Sequence, residues 1–267
     1  MVSGMALELI LTLIGGGLVG LLSSVLGLGG GIIIVPLLTI VFKMAHTQAI
    51  ATSLMTIAFI TMLNTYRFQK RKMVNWRMVF VIVVFSAASS FTGGYLVTIL
   101  NERLLLLFFI LFVLYVLIQT LFLKHDMGEP DPGNHSPWFW GTIIGSFSGI
   151  ISGTTGVGGG AIITPLLFKS RVEIPARVVP ITNAVMLMNA FFALIPLACQ
   201  PATESGFLTL GLIHIDRALL IFAGAIPVSV WGTHHQGHIS IKTKKIFIAV
   251  VLLIILIRMG YKFLVSA

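Results

Sequence analysis

Two glycine clusters sit at matching places in the chain. Gly27, Gly29, Gly30 and Gly31 interrupt one long apolar stretch, and Gly156, Gly158, Gly159 and Gly160 interrupt another, at an offset of 129 residues. Glycine lacks Cβ and accepts positive φ at little steric cost. A helix that restarts after such a break leaves its first N–H groups without intrahelical partners. In hydrocarbon those donors require an acceptor. A buried anion supplies one and also gains from the positive end of the helix dipole. The competing reading is that the glycines only allow helices to pack closely, as small residues do in membranes. Paired, Gly-interrupted hydrophobic segments in corresponding halves favour a substrate site.

Neutral donors gather at both breaks and on the apolar run after each. They are Ser23, Ser24, Thr52, Ser53 and Thr56 in the first half, and Ser152, Thr154, Thr155, Thr182, Asn183 and Asn189 in the second. Hydroxyl and amide groups can donate to oxyanion oxygens without carrying charge. Taken singly, each could equally bond to its own helix or to a neighbouring one. No Asp, Glu, Lys or Arg falls in the middle of a long apolar run: Glu8 lies near a terminus, Glu102 and Glu204 read as loop residues, and Asp126, Glu129 and Asp131 fall in a polar stretch. Many proton or cation couplers carry an intramembrane carboxylate, so the expected site is built from backbone and neutral side chains. Its expected members are Ser23, Ser24, Thr52, Ser53, Ser152, Thr154, Thr155, Thr182 and Asn183 with the eight glycines. Arg177, beside the start of a second-half segment, reads as an anion lure or as a plain topology determinant.

Other chemistries lack their residues. His234 and His238 have an i, i+4 spacing, but no acidic or cysteine partner is near, so no metal is expected. Gly156-Val-Gly-Gly-Gly-Ala161 matches a dinucleotide fingerprint in form only, without a βαβ pattern or an acid at the required distance. There is no Walker lysine and no His-Glu-x-x-His. The expectation is therefore no catalytic residue, no enzyme activity and no cofactor. Basic residues are not interleaved with aromatics, so nucleic acid is not an expected partner. The single Cys199 cannot form an internal disulfide.

The elements that must position these groups are membrane segments. Hydrophobic residues make up 57% and charged residues 9%, and mean hydropathy is +1.04, where soluble domains run near 25% charged. Lipid must cover most of such a surface. Apolar stretches run over residues 5–26, 32–42, 48–66, 76–99 and 104–123, then 138–154, 161–168, 176–199, 213–233 and 244–265. A spanning helix takes roughly 20 residues, and only the two stretches after the glycine breaks fall well short. The first stretch lacks a basic region ahead of it and a clear cleavage site, so it reads as a membrane segment rather than a removed signal. Residues 124–137, with Pro130, Pro132, Gly133 and Pro137, read as a linker between a first repeat (1–123) and a second (138–267). Thr52-Ser53 matches Thr182-Asn183 at an offset of 130, and Asn75-Trp-Arg with Gly93 matches His214-Ile-Asp with Gly232 at 139.

Orientation follows from Lys and Arg in short loops. With the loop of Arg67, Lys70, Arg71, Lys72 and Arg77 cytoplasmic, Lys124, Lys169, Arg171, Arg177, Lys242, Lys244 and Lys245 also fall inside. Lys43, Arg103, Arg217, Arg258 and Lys262 remain outside, and both termini come out external. Corresponding loops of the two halves then take opposite sides. The expected fold is all-α and polytopic, with two inverted five-segment repeats and about ten segments, two of them short or re-entrant.

The chain resembles the TauE/SafE family of sulfite exporters and toluene-sulfonate uptake permeases. The resemblance lies in Gly-Leu-Gly-Gly-Gly-Ile-Ile-Ile-Val-Pro36 with Ala51-Thr-Ser53 after it, and in Gly-Val-Gly-Gly-Gly-Ala-Ile-Ile-Thr-Pro165. It covers nearly the whole chain and implies a multi-pass permease of the cell (inner) membrane that moves sulfite, sulfonates, thiosulfate or related anions. The second half departs from the first at Ile181-Thr-Asn183, which makes Asn183 a candidate specificity residue. The expected partners are a small anionic substrate and the bilayer, with a coupling ion and a homo-oligomer left open. An anion channel and a non-transporting scaffold or sensor remain as alternatives.

Overall fold

The computed structural model describes residues 2–21, 23–24, 30–122, 136–201, 208–235 and 241–265. Gly27 and Gly29, the linker up to residue 135, Glu204 and His238 lie outside the described residues. Ten helices follow the apolar stretches in order: α1 Val2–Leu21, α2 Gly31–Ile40, α3 His46–Lys70, α4 Trp76–Ile99, α5 Glu102–Phe122, α6 Pro137–Thr155, α7 Gly160–Ser170, α8 Pro175–Ala198, α9 Ile215–His235 and α10 Ile241–Val265. Among the described residues the only strands form a two-stranded antiparallel hairpin, β1 Thr209–Leu210 and β2 Ile213–His214, turned at Gly211. It takes the first two residues of the run expected to be helical from 213.

Among the described residues, five helices are long and apolar enough to cross a membrane: α3, α4, α5, α8 and Ile215–Gly232 of α9. α2 and α7, of 10 and 11 residues, are not. The polarity of the molecule is inside out. Phe122, Leu264 and Ile257 are 78%, 74% and 65% exposed, whereas Thr52, Ser53, Asn64, Thr182, Asn183 and Asn189 are fully buried. An exposed apolar surface of this extent needs lipid against it, so the chain is a multi-pass membrane protein.

Helix pairing crosses between the halves. α1 packs most extensively on α9, and α6 on α4, while α3 and α8 meet each other at the centre. Small residues make the first two approaches possible. A Cβ on Gly20 would lie 2.5 Å from the Ala225 carbonyl oxygen, and one on Gly224 would lie 2.5 Å from that of Leu13. Gly145 and Gly149 sit equally close to the carbonyls of Ile82 and Ser86. These glycines do serve close helix packing.

Side-chain contacts gather the loops into two ends. At one, Arg71 donates from Nη2 to His234 Nδ1 at 3.0 Å, and Asn75 Nδ2 donates to Glu173 Oε2 at 2.5 Å. At the other, Glu102 Oε1 accepts from the backbone N–H of His46 at 2.5 Å. Arg217 and Arg103 lie over the rings of Phe42 and Phe263 there, 4.5 and 5.3 Å from the centroids. Glu102 is thus not a loop residue: it opens α5 and caps the start of α3.

Candidate functional site

Both short helices start in the same way. Gly30 precedes α2 with φ 70° and Gly159 precedes α7 with φ 79°, a left-handed conformation that a side chain would strain. Gly30 O accepts from Ile33 and Ile34 N–H at 2.9 and 3.2 Å; Gly159 O accepts from Ile162 and Ile163 N–H, both at 3.0 Å. Being glycines, neither N-cap residue has a side chain to cap its helix. The first-turn donors, Gly31 and Ile32 in α2 and Gly160 and Ala161 in α7, are therefore directed to the break itself. Ahead of α7 the chain turns through Gly156 (φ 71°), which ends α6, and Gly158 (φ 83°).

The two breaks touch. A Cβ on Gly31 would collide with the Gly156 carbonyl oxygen and stand 2.5 Å from Val157 Cα. The start of α2 thus packs against the glycine turn that ends α6 and leads into α7.

Each half also reaches into the other half's break. Ser53 on α3 donates to the Gly156 carbonyl oxygen at 2.6 Å. Its counterpart Asn183 on α8 donates to the Ser23 carbonyl oxygen at 3.4 Å and to that of Val179 at 3.0 Å. The Asn183 amide oxygen accepts from Ser23 Oγ at 3.4 Å and Asn64 Nδ2 at 3.0 Å. Asn64 also donates to Ser23 Oγ at 3.3 Å and accepts from Ser229 Oγ at 2.5 Å. Asn183 therefore uses both of its donors and both of its acceptor positions. Four neutral side chains from the region after α1 and from α3, α8 and α9 form one buried cluster.

The remaining expected residues divide. Thr155 and Thr154 bond back to the Ile151 and Ile150 carbonyls at 2.6 and 2.8 Å, and both line an apolar cavity of about 520 Å³ among α5, α6 and α7 rather than the contact of the breaks. Ser24 bonds back to Gly20 O at 2.6 Å, and Thr56 to Thr52 O at 2.9 Å. Thr52 Oγ1 accepts from the His214 backbone N–H at 3.1 Å, which ties the hairpin to α3. Thr182 meets Thr164, Oγ1 to Oγ1, at 3.2 Å. Ser152 Oγ is buried without a partner. Asn189 donates to Ser148 Oγ at 3.4 Å, while its own Oδ1 is buried and unpartnered. Arg177 pairs with Glu173 at 3.8 Å, the guanidinium being 43% exposed.

Asn64 and Ser229 escaped the sequence reading. Both carried a signal: Asn64 is a lone amide near the end of the apolar run 48–66, and Ser229 stands 139 residues after Ser90, at the offset relating α4 to α9.

The family model described as sulfite exporter TauE/SafE matches residues 12–259. The chain belongs to the TauE/SafE family. Among its relatives, a probable membrane transporter protein of Methanocaldococcus jannaschii is 28% identical over 255 residues, 91% of each chain. One of Haemophilus influenzae is 26% identical over 246 residues, covering 87% of this chain and 88% of its own. The relative YunE of Bacillus subtilis, likewise a probable membrane transporter protein, is 26% identical over 186 residues, 58% of this chain and 67% of its own. No solved structure matches. Membership of this family makes the chain a membrane transporter.

Proposed function

We propose that the chain carries a small sulfur-containing oxyanion, such as sulfite or an organosulfonate, across the cell (inner) membrane by alternating access. The observation that carries this reading is the contact of two glycine breaks, each leading into a short helix opened by a left-handed glycine, between halves that exchange contacts. Backbone N–H groups of Gly31, Ile32, Gly160 and Ala161 are the proposed oxyanion donors, with Ser23, Ser53, Ser152 and Asn183 beside them. A tetrahedral or pyramidal oxyanion presents several acceptor oxygens to such a set and requires no charged partner in hydrocarbon.

The same reading takes the halves as inverted repeats. α3 runs from the end that holds Glu102 to the end that holds Arg71, and α8 starts beside Glu173, at the Arg71 end. α2 leaves its break toward the Arg217 end and α7 leaves toward Glu173. The tightly packed pairs α1–α9 and α4–α6 then serve as the rigid parts, and the polar contacts of α3 and α8 with the breaks are what must part. Because Asn183 is saturated in the observed arrangement, an entering anion has to replace its Ser23 or Asn64 bonds.

Counterflow in proteoliposomes tests this. Labelled sulfite or a short sulfonate should accumulate against unlabelled substrate, saturate, and fail after Gly30→Leu or Gly159→Leu in protein that still folds. Flux that neither saturates nor shows counterflow would place the protein among anion channels. Absence of anion binding, with the glycine changes tolerated, would leave a scaffold or sensor.

A further inference from the structure

At the end of the molecule marked by Arg71, an open recess of about 590 Å³ lies between α3 and α9. Arg67, Lys70 and Arg71 line one side, and Pro227, Val230, Trp231 and His234 the other. Arg71 is engaged with His234, and Lys70 Nζ lies 4.6 Å above the Tyr66 ring. Arg67 is different. Its Nη1 is buried without a hydrogen-bond partner, and no described carboxylate forms an ion pair with it. The carboxylates with described side chains are committed elsewhere: Glu102 to α3's other end, Glu173 to Asn75 and Arg177, Asp216 to Arg217. A buried guanidinium nitrogen without an acceptor is costly, so this cavity is built for an anion.

The surface next to it says which kind. Met62 and Tyr66 on α3 are 54% and 57% exposed, and Val230 and Trp231 on α9 are 43% and 49% exposed. Between these helices Phe59 and Phe222 pack at 5.5 Å, farther from the basic residues. A cationic recess therefore opens onto an apolar strip flanked by Tyr and Trp, the residues that mark the headgroup level of a bilayer. A soluble oxyanion would have no use for that strip, whereas a molecule with a charged head and acyl chains fits both parts. We propose that the cavity between α3 and α9 binds the phosphate headgroup of an anionic phospholipid, with Arg67 as its principal ligand and Lys70 and Arg71 beside it. Basic recesses between membrane helices hold such headgroups by the same charge complementarity.

Native mass spectrometry of the purified full chain, titrated with phosphatidylglycerol or phosphatidylcholine, tests this. Phosphatidylglycerol should bind preferentially, and Arg67→Gln or Lys70→Gln should each weaken it about fivefold, at about one elementary surface contact's worth of attraction per cation. Lys169→Gln, which removes an equal charge outside the cavity, should leave the affinity unchanged. If Arg67→Gln does not fold, Lys70→Gln, at an exposed side chain, carries the comparison. Equal retention of the two lipids, or an unchanged affinity in Lys70→Gln, would overturn the proposal. Displacement of the lipid by inorganic phosphate at equal concentration would also overturn it, and would assign the recess to a soluble oxyanion.

Discussion

Replacing Gly31 by Ala puts a methyl group where the two breaks touch. Its Cβ would stand 2.5 Å from Val157 Cα and 2.9 Å from Ile57 Cδ1, besides overlapping the Gly156 carbonyl oxygen. Ordinary contact begins at 3.4 Å, so the backbone of one half must retreat by about 1 Å from the other. Backbone cannot yield as a side chain can. Overpacking of this kind costs about 1–3 kcal/mol, which corresponds to roughly a 5- to 150-fold change in any equilibrium that needs the contact. Gly31, unlike Gly30, has no positive φ, so the effect is steric rather than conformational. Gly260→Ala supplies the control: a Cβ there meets nothing within 4 Å, and the helix should gain about 0.5–1 kcal/mol. Thermal unfolding in nanodiscs, read alongside substrate counterflow, checks both. Gly31→Ala should lower the melting temperature and counterflow together, whereas Gly260→Ala should lower neither. A Gly31→Ala protein as stable and as active as the parent would refute the contact between the breaks.

The amide cluster gives further outcomes. Asn183→Ala leaves the Ser23 carbonyl oxygen without its Asn183 donor and takes one of two partners from both Asn64 Nδ2 and Ser23 Oγ, so it should destabilise by about 1–3 kcal/mol, measured by denaturant unfolding in detergent. Asn183→Ser, which copies the residue at the matching first-half position, should recover part of that loss and shift preference among sulfite, sulfate and sulfonates in a binding panel. A double-mutant cycle of Asn64→Ala and Asn183→Ala should show a coupling of about 0.5–3 kcal/mol; strict additivity would mean that the two amides do not meet. Ser53→Ala removes the bond to the Gly156 carbonyl, and counterflow should fall with a stability loss of only about 1 kcal/mol. Glu102→Ala uncaps α3 and should cost about 0.5–2 kcal/mol without changing substrate selectivity, since it lies at the far end of α3 from Asn64.

Much of this molecule was legible because membrane segments announce themselves by composition. The run 76–99 coincides with α4, and the others end within a few residues of their helices, since a buried backbone forces helix wherever the side chains are apolar. The hairpin at Thr209–His214 was not legible: four strand residues around Gly211 leave no periodic signal, and the bonds that hold them, His214 N–H to Thr52 Oγ1 and Leu212 N–H to the Leu197 carbonyl, come from distant helices. The glycines proved to be of two kinds that sequence cannot separate. Gly20 and Gly149 serve helix packing, whereas Gly30 and Gly159 need a left-handed backbone. Thr154 and Ser53 are likewise both hydroxyls near a break. Which of them turns outward is decided by the helices packed around each, α5 and α7 beside Thr154 and the end of α6 beside Ser53. Asn64 and Ser229 were hidden because their partners come from the other half, at separations of 119 and 165 residues.

The most direct measurement is a cryo-EM structure in nanodiscs with a short organosulfonate present. We expect density for the sulfonate group between Gly30–Gly31 and Gly156–Ala161, within hydrogen-bond reach of the Gly160 and Ala161 N–H groups, and Asn183 released from Ser23 or Asn64. Sulfonate density elsewhere, with Gly31 still packed on Val157 and the amide cluster intact, would contradict the account.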